Sequence, residues 1–332
     1  VAFRHTLIFR SPHPHEFTIL GLQALPFLLL MFAFIIDLDL LRTVRVNGSH
    51  DLPIHYRVSA VWAGRSGPLL LWIAWLSAAR LWWRKFSDNE EKNKIGTGGV
   101  LHLLTFSLFL VAFLLEPFAL DNTAPRTELN VFLQTDLMVI HPPIVFAFYA
   151  LCLVVASVAL EGLLNGTVPS KIHFELLPIA RAAFICGTLG IGLGGLWAYT
   201  VLDWGGYWAW DPVETASLLP WLSLLLILHL RMSPKVKNRN SALVWSPALG
   251  LLSGALAMHS TLVTRANGTW ASVHAFVASE EGEILSNDAY IRVLSLWDSG
   301  VEGVEALHKF GLPIMYDVKA FDIKNTIRAI TM

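Results

Sequence analysis

The chain has 332 residues and a formal net charge of −1, and 55% of its residues are hydrophobic while only 15% are charged. This composition places it in a lipid bilayer and predicts an all-α, polytopic membrane helix bundle. The near-zero net charge and the lack of a long basic run exclude electrostatic binding of nucleic acid. Cys152 and Cys186 lie inside apolar runs, far from other metal ligands, so we expect them to be inert.

Seven apolar runs are long enough to cross a hydrocarbon core, which takes about 20 residues. We predict about seven transmembrane helices near 17–36, 67–84, 100–119, 137–161, 177–201, 213–231 and 241–264. Prolines interrupt the fourth and sixth of these spans, at Pro142, Pro143 and Pro220. A proline inside a span removes a backbone donor and bends the helix, usually beside a cavity or a helix end.

The distribution of basic residues predicts the orientation of the spans. One set of connectors holds 12 lysines and arginines: 1–16, 80–99, 162–177 and 231–240. The other set holds five: 37–66, 120–136 and 202–212. Because positive charge is retained on the inner side of the membrane, we expect the second set on the outer side, which is periplasmic or intermembrane.

The last part of the chain differs from the rest in composition. Residues 280–332 hold nine acidic and five basic side chains and no apolar run long enough to span. We therefore predict a transmembrane domain at 1–275, which contacts the membrane lipid, and an outer-side extramembrane tail at 276–332.

Five of the 13 tryptophans lie within 197–221, which contains the run WGGYWAWDPVETASLLPW. Indole is large, flat and amphipathic, so this cluster at a membrane boundary is either an interfacial belt or a platform for a flat aromatic ligand. Asp211, Pro212 and Glu214 are typical of a helix start, as N-cap, N1 residue and capping-box partner. We predict that the strand-like Trp-rich loop ends there and the sixth span begins.

Three histidines are candidate ligands of a haem iron, for which imidazole is a common axial ligand. His141 and His274 lie at the ends of the fourth and seventh spans, on the same predicted side as the tryptophans. A single histidine at a helix end is more often a polar cap than a ligand. His229 lies in the apolar run LSLLLILHL, where an imidazole is costly unless it is paired, which indicates a second, intramembrane metal centre.

The tryptophan-rich run resembles the signature of haem-handling membrane proteins, and the chain resembles the CcmF-type cytochrome c haem lyases. Three further blocks agree with that family in order: LPIHYRVSAVWAGRSGPLLLW at 52–72, ELNVFLQTDLMVIHPP at 128–143 and LVTRANGTWASVHAF at 262–276. The resemblance covers about residues 17–276 and corresponds to the N-terminal half of a full-length member.

The resemblance implies that 1–275 is a haem-handling domain with two haem sites. It makes His141 and His274 the axial ligands of the haem that is being attached, and His229 one of two ligands of a permanent haem b. The platform for the incoming haem would consist of Trp197, Trp204, Trp208 and Trp210. Attachment adds two cysteine thiolates to two vinyl groups, and no general acid or base is evident, so positioning is the main catalytic effect.

The resemblance also implies a lyase component that is active only with partner chains. The expected partners are a chain with the C-terminal lyase half and the second intramembrane histidine, a haem chaperone, and apocytochrome c with its thiol reductase. Because a split lyase is more typical of organelles, we expect a multi-pass protein of the mitochondrial inner membrane. A bacterial inner membrane is the alternative.

Departures from the family pattern support a second hypothesis. Tyr207, Ala209 and Thr215 stand where the family usually has Trp, Phe and Asn, and the acidic tail has no counterpart. The alternative function is therefore a lyase-derived structural subunit, assembled with respiratory complex subunits in a larger inner-membrane complex.

Overall fold

The computed structural model describes residues 14–84, 96–121, 123–201, 207–230 and 242–265, and this part of the chain contains nine α-helices and no strand. The helices are α1 (Pro14–Ile35), α2 (Arg42–Asn47), α3 (Ile54–Ala60), α4 (Gly67–Arg84), α5 (Thr97–Leu114), α6 (Asp136–Leu164), α7 (Pro169–Val201), α8 (Pro212–His229) and α9 (Ser246–Arg265). The predicted all-α class is confirmed. The predicted tail, 276–332, lies outside the described residues and stays a prediction.

Six of the described helices, α1 and α5 to α9, are long and apolar enough to cross a membrane. The second predicted span is α4, which has 18 residues but contains Arg80, Arg84 and four tryptophans and is therefore less apolar. It packs against α1, α5 and α6, and these neighbours bury much of its surface. A helix inside a bundle needs less hydrophobicity than one that faces lipid, so the sequence difference fits its position.

Two predicted spans have different bounds in the structure. α5 ends at Leu114 rather than near 119, because Pro117 cannot continue a helix and Glu116 before it has a φ of 47°. α7 begins at Pro169 rather than near 177 and continues through Pro178. Its 33 residues make it about 50 Å long, which exceeds a hydrocarbon core of about 30 Å.

The internal prolines do not end the helices that contain them. α6 continues from Asp136 to Leu164 through Pro142 and Pro143, and α8 continues through Pro220. The prediction that these spans are interrupted is therefore wrong at the level of helix continuity. Each proline still removes a backbone donor, so a carbonyl one turn earlier needs another partner.

The central helix of the bundle is α6. It packs against α4, α5, α7 and α9, and its neighbours bury more of it than of the other five apolar helices. Phe148, Cys152, Val154 and Val155 on α6 have no exposed surface. Cys152 is thus a buried core residue, as predicted.

Two connectors meet at the end of the bundle where α7 ends and α8 begins, which we call the Trp-loop end. The connector 36–66 contains α2 and α3, and Arg42 N–H donates to the carbonyl of Ala119 in the connector 115–135 at 2.9 Å. Arg126 of the second connector forms ion pairs with Asp37 and Asp39 of the first. These contacts hold the start of α6 close to the segment between α3 and α4.

Candidate functional site

A cavity of about 180 Å³ lies at the Trp-loop end, between α6, α7, α8, the connector leading into α4 and the end of α9. Its wall is mainly apolar and aromatic. The lining includes Trp62, Met138, His141, Tyr149, Trp197, Trp208 and Glu214. A concave apolar site with a few polar groups is the usual form of a cofactor or substrate site. His141, Trp197 and Trp208, three of the predicted site residues, are therefore brought together in one cavity.

His141 lies in the second turn of α6 and contacts α7. Its Nδ1 is 2.8 Å from the carbonyl oxygen of Gly190. A carbonyl only accepts, so Nδ1 carries the proton, and in the neutral ring Nε2 carries the lone pair. Histidines that bind metals commonly donate their other ring N–H to a carbonyl in this way. The arrangement fits an iron ligand.

Gly194 gives the His141 imidazole its space. A Cβ atom at position 194 would lie 2.7 Å from His141 Cε1 and 3.3 Å from both ring nitrogens. These distances are shorter than van der Waals contact, so a larger residue would displace the ring. α7 therefore fixes both the tautomer and the position of His141.

The tryptophans of the loop differ in their surroundings. Trp197 is only 4% exposed and Trp208 is half-buried, and both line the cavity. Trp210 is 66% exposed and is outside the lining, although its ring meets the Trp208 ring edge-on at 5.9 Å. The backbone φ of Trp210 is +59°, which is unusual for a bulky residue. This left-handed turn places Trp208 and Trp210 in different environments.

Glu214 joins the tryptophan segment to α8. Its Oε2 accepts from the N–H of Ala209 at 2.9 Å and from that of Asp211 at 3.3 Å, on either side of Trp210. Asp211 Oδ2 accepts from Val213 N–H at 2.9 Å, and the Asp211 side chain also accepts from the Glu214 N–H, which completes the predicted capping box. The predicted helix start is confirmed. The carboxylate also lines the cavity, so it stabilises the loop and supplies a polar group to the site.

His229 lies at the other end of α8, about 25 Å along the helix from its start. Its side chain is exposed, and its Nδ1 is 2.8 Å from the carbonyl oxygen of Leu225. The same tautomer argument places the lone pair on Nε2. Leu222 and Leu226 are exposed on the same side of α8. His229 is therefore not part of the cavity, and it faces away from the bundle.

Two predicted site residues, His274 and Trp204, lie outside the described residues. Their roles stay predictions. Tyr207, which replaces the usual tryptophan, packs on α7: its hydroxyl donates to the carbonyl of Gly192, and a Cβ at Gly195 would lie 2.7 Å from its ring. Its hydroxyl thus binds backbone rather than the cavity.

Sequence reasoning missed several residues of the cavity wall. Trp62, Phe146 and Tyr149 line it, and the last two contact each other edge-on at 5.9 Å. Periodicity alone does not distinguish such residues from ordinary core aromatics. Pro142 indicates that a carbonyl of α6 needs a donor from elsewhere, but it does not identify Trp62 as that donor.

The family described as Cytochrome C assembly protein matches residues 62–265 of this chain. The chain is 33% identical over 272 residues to the cytochrome c-type biogenesis protein CcmF of Haemophilus influenzae, covering 80% of this chain and 41% of the relative. It is also 33% identical to CcmF of Escherichia coli, covering 76% of this chain and 39% of the relative. The chain thus spans about two fifths of the length of these relatives.

A solved structure titled Cytochrome c Heme Lyase CcmF has a similar fold. The TM-score is 0.59 at 23% identity, over 75% of this chain and 40% of that chain. At this identity the likeness concerns the arrangement of the helices alone.

Proposed function

Because this chain belongs to the family of cytochrome c assembly proteins, we propose that it is the haem-binding half of a split cytochrome c haem lyase. The observation that carries the proposal is the His141 imidazole, held on Gly190 within an aromatic cavity. Relatives at 33% identity are named cytochrome c-type biogenesis proteins, which is consistent with this role.

In this proposal the haem at the cavity is the substrate. His141 Nε2 binds the iron from one side, and His274 binds it from the other. Trp197 and Trp208 restrict the plane of the ring, because flat apolar walls favour a flat ligand. In the proposal Trp204 and Trp210 belong to the same tryptophan platform, and Trp210 is outside the cavity lining.

The chemical step needs no nucleophile from this chain. A cysteine thiol of apocytochrome c adds across a haem vinyl group: the sulfur bonds to one carbon, the other carbon takes a proton, and no electrons are transferred. The thiolate is the reactive form. Holding the vinyl carbons next to the thiols is the contribution of His141 and the tryptophans, and such positioning can supply several kcal/mol.

A second part of the proposal concerns His229. Its exposed position and its bond to Leu225 suit a ligand that is shared with a neighbouring helix. We assign it to a haem b whose second histidine belongs to the chain with the remaining lyase helices. When bound, this haem would supply electrons that keep the substrate iron ferrous.

The proposed setting is an inner membrane, mitochondrial or bacterial, with the Trp-rich loop on the intermembrane or periplasmic side. A haem chaperone delivers the haem, and a thiol reductase keeps the apocytochrome cysteines reduced. In the proposed topology α4 and the six more apolar helices cross the membrane.

The proposal is tested by cytochrome c maturation in cells that carry the full chain. His141→Ala is expected to abolish haem attachment. His55→Ala is the matched control, because His55 is half-exposed on α3 at the same end of the bundle and outside the cavity lining. Normal maturation with His141→Ala would contradict the proposal.

Tyr207 favours a second candidate function, a structural subunit of a respiratory assembly. Its hydroxyl donates to the Gly192 carbonyl on α7. The side chain at this position therefore packs on α7 instead of extending the tryptophan platform. Native purification separates the candidates: respiratory subunits in equal amounts favour the structural role, whereas a haem chaperone or thiol reductase favours the lyase. A second histidine on a longer form of this same polypeptide would contradict the split arrangement.

A further inference from the structure

The helix that carries His141 lacks two backbone hydrogen bonds next to that residue, one for Pro142 and one for Pro143. In an α-helix the carbonyl of residue 138 accepts from the N–H of residue 142. Residue 142 is proline and has no N–H. The Met138 carbonyl, in the first turn of α6, therefore needs a donor from outside the helix.

Trp62 supplies that donor. Its indole Nε1–H donates to the Met138 carbonyl oxygen at 2.7 Å, in a buried contact between residues 76 positions apart. The Trp62 side chain is only 8% exposed. The contact is buried, and the indole is the group that satisfies this carbonyl.

The same type of repair occurs at another proline of the bundle. Pro220 in α8 frees the carbonyl of Ala216, and Ser260 Oγ on α9 lies 2.6 Å from that oxygen, closer than the 2.8 Å to the Leu256 carbonyl of its own helix, and donates to it. Side chains of neighbouring helices commonly satisfy carbonyls freed by proline in membrane helices. This second hydrogen bond satisfies a carbonyl of α8, which places no histidine in the cavity. Its removal is therefore a control for removal of the Trp62 bond.

A tight turn holds Trp62 in place. Trp62 N–H donates to the carbonyl of Ser59 at 3.2 Å at the end of α3. A Cβ at Gly67 would lie 1.7 Å from the carbonyl oxygen of Val61. Only glycine therefore fits at this point, where the chain turns back past Val61 and α4 begins. The indole therefore reaches α6 from a constrained segment.

Met138 and His141 are three residues apart, so they lie on the same face of α6. Both line the cavity, as does Trp62. We propose that Trp62 is a positioning residue for His141: it replaces the hydrogen bond that Pro142 removes and fixes the turn of α6 that presents the imidazole to Gly190. This inference rests on the proposed function where it concerns haem, but its geometric part does not.

The test uses Trp62→Phe in the full chain with its native partners. The variant keeps an aromatic ring and loses the N–H. The affinity for haem at the cavity is expected to fall about tenfold, which is the usual order when a group that supports a metal ligand is lost. A lower share of low-spin iron in the absorption and EPR spectra reports the displaced imidazole. Ser260→Ala, which removes the other repair, is expected to leave this spectrum unchanged.

Pro142→Ala provides the decisive comparison. Alanine supplies its own N–H to the Met138 carbonyl, so Trp62→Phe is expected to have little effect on the spectrum in the Pro142→Ala background. An equal decrease of the low-spin share in both backgrounds would overturn the positioning role, because the indole would then act only by its bulk. An unchanged low-spin share in Trp62→Phe alone would overturn it as well.

A haem-independent measurement separates this inference from the proposed function. In the ¹⁵N spectrum of histidine-labelled protein, the His141 signal is identified by its loss in His141→Gln. The Nδ1-protonated form is expected in the unmodified chain and a mixture of tautomers in Trp62→Phe. If His141→Ala does not change bound haem, the proposed function fails, while this spectrum still decides the role of Trp62. Identical His141 signals would overturn the inference.

Discussion

Gly190 on α7 accepts a hydrogen bond from Nδ1 of His141 on α6, at 2.8 Å. The two residues are 49 positions apart in the chain, and the bond exists because α6 and α7 pack closely along their length. It gives one of the proposed haem ligands a defined tautomer before any ligand arrives. Preorganisation of this kind reduces the ordering that binding requires.

Gly194→Ala is expected to displace the His141 ring, because the added Cβ would lie 2.7 Å from Cε1. We predict about tenfold weaker haem binding, measured by titration of the purified chain with ferrous haem. Gly192→Ala is the control, since its Cβ would meet only the Tyr207 hydroxyl, at 3.6 Å. Similar affinities for the two variants would contradict the tight packing of the ring.

Glu214→Ala is expected to release the segment around Trp208 and Trp210. It leaves the N–H groups of Ala209 and Asp211 without their acceptor and removes the Glu214 half of the capping box, and an unsatisfied buried N–H costs about 1–3 kcal/mol. Glu214→Gln keeps one acceptor oxygen, so a milder effect is expected. Thermal unfolding and tryptophan fluorescence measure the two effects. If Glu214→Gln lowers the unfolding midpoint as much as Glu214→Ala, the charge of the carboxylate is needed rather than its acceptor oxygen.

Ser260→Ala is expected to lower stability by about 1–3 kcal/mol, because it leaves the buried Ala216 carbonyl without its donor. Ser107→Ala is the control: its hydroxyl donates within its own helix, to Leu103, and it is exposed. Thermal unfolding of the detergent-solubilised chain compares them. Equal midpoints would show that the carbonyl at Pro220 finds another donor.

His229→Ala is expected to remove one haem from the native complex and to leave the haem at the cavity in place. His229 is at the end of α8 remote from the cavity, whereas His141 lies in the cavity on α6, so their effects should be independent. Haem content per chain and the reduced-minus-oxidised spectrum measure the loss. Loss of both haems from this single variant would contradict two separate sites.

Part of the site could be predicted from the sequence because the signals are local. The helix start at Asp211 and Glu214 depends on residues three positions apart, and the structure has the predicted capping box. The long apolar runs likewise predicted the helices, with errors where Pro117 ended α5 early and where α7 began eight residues sooner. Local steric rules explain the first error.

The contacts that orient His141 could not be predicted, because they join distant segments. Its partner Gly190 and the indole of Trp62 come from two different segments, α7 and the connector before α4. Pro142 indicates that a donor is needed, but not which residue supplies it. The exposed position of Trp210 was likewise unpredictable, since it depends on a left-handed residue held by Glu214.

The most direct test of the account is the haem content of the cavity site. The full chain is purified with its native partners, and haem per chain is measured for the unmodified protein, His141→Ala and the control His55→Ala. We predict that His141→Ala loses the substrate haem and its low-spin spectrum, while His55→Ala keeps both. Full haem content with an unchanged spectrum in His141→Ala would contradict the central claim that His141 is a haem ligand.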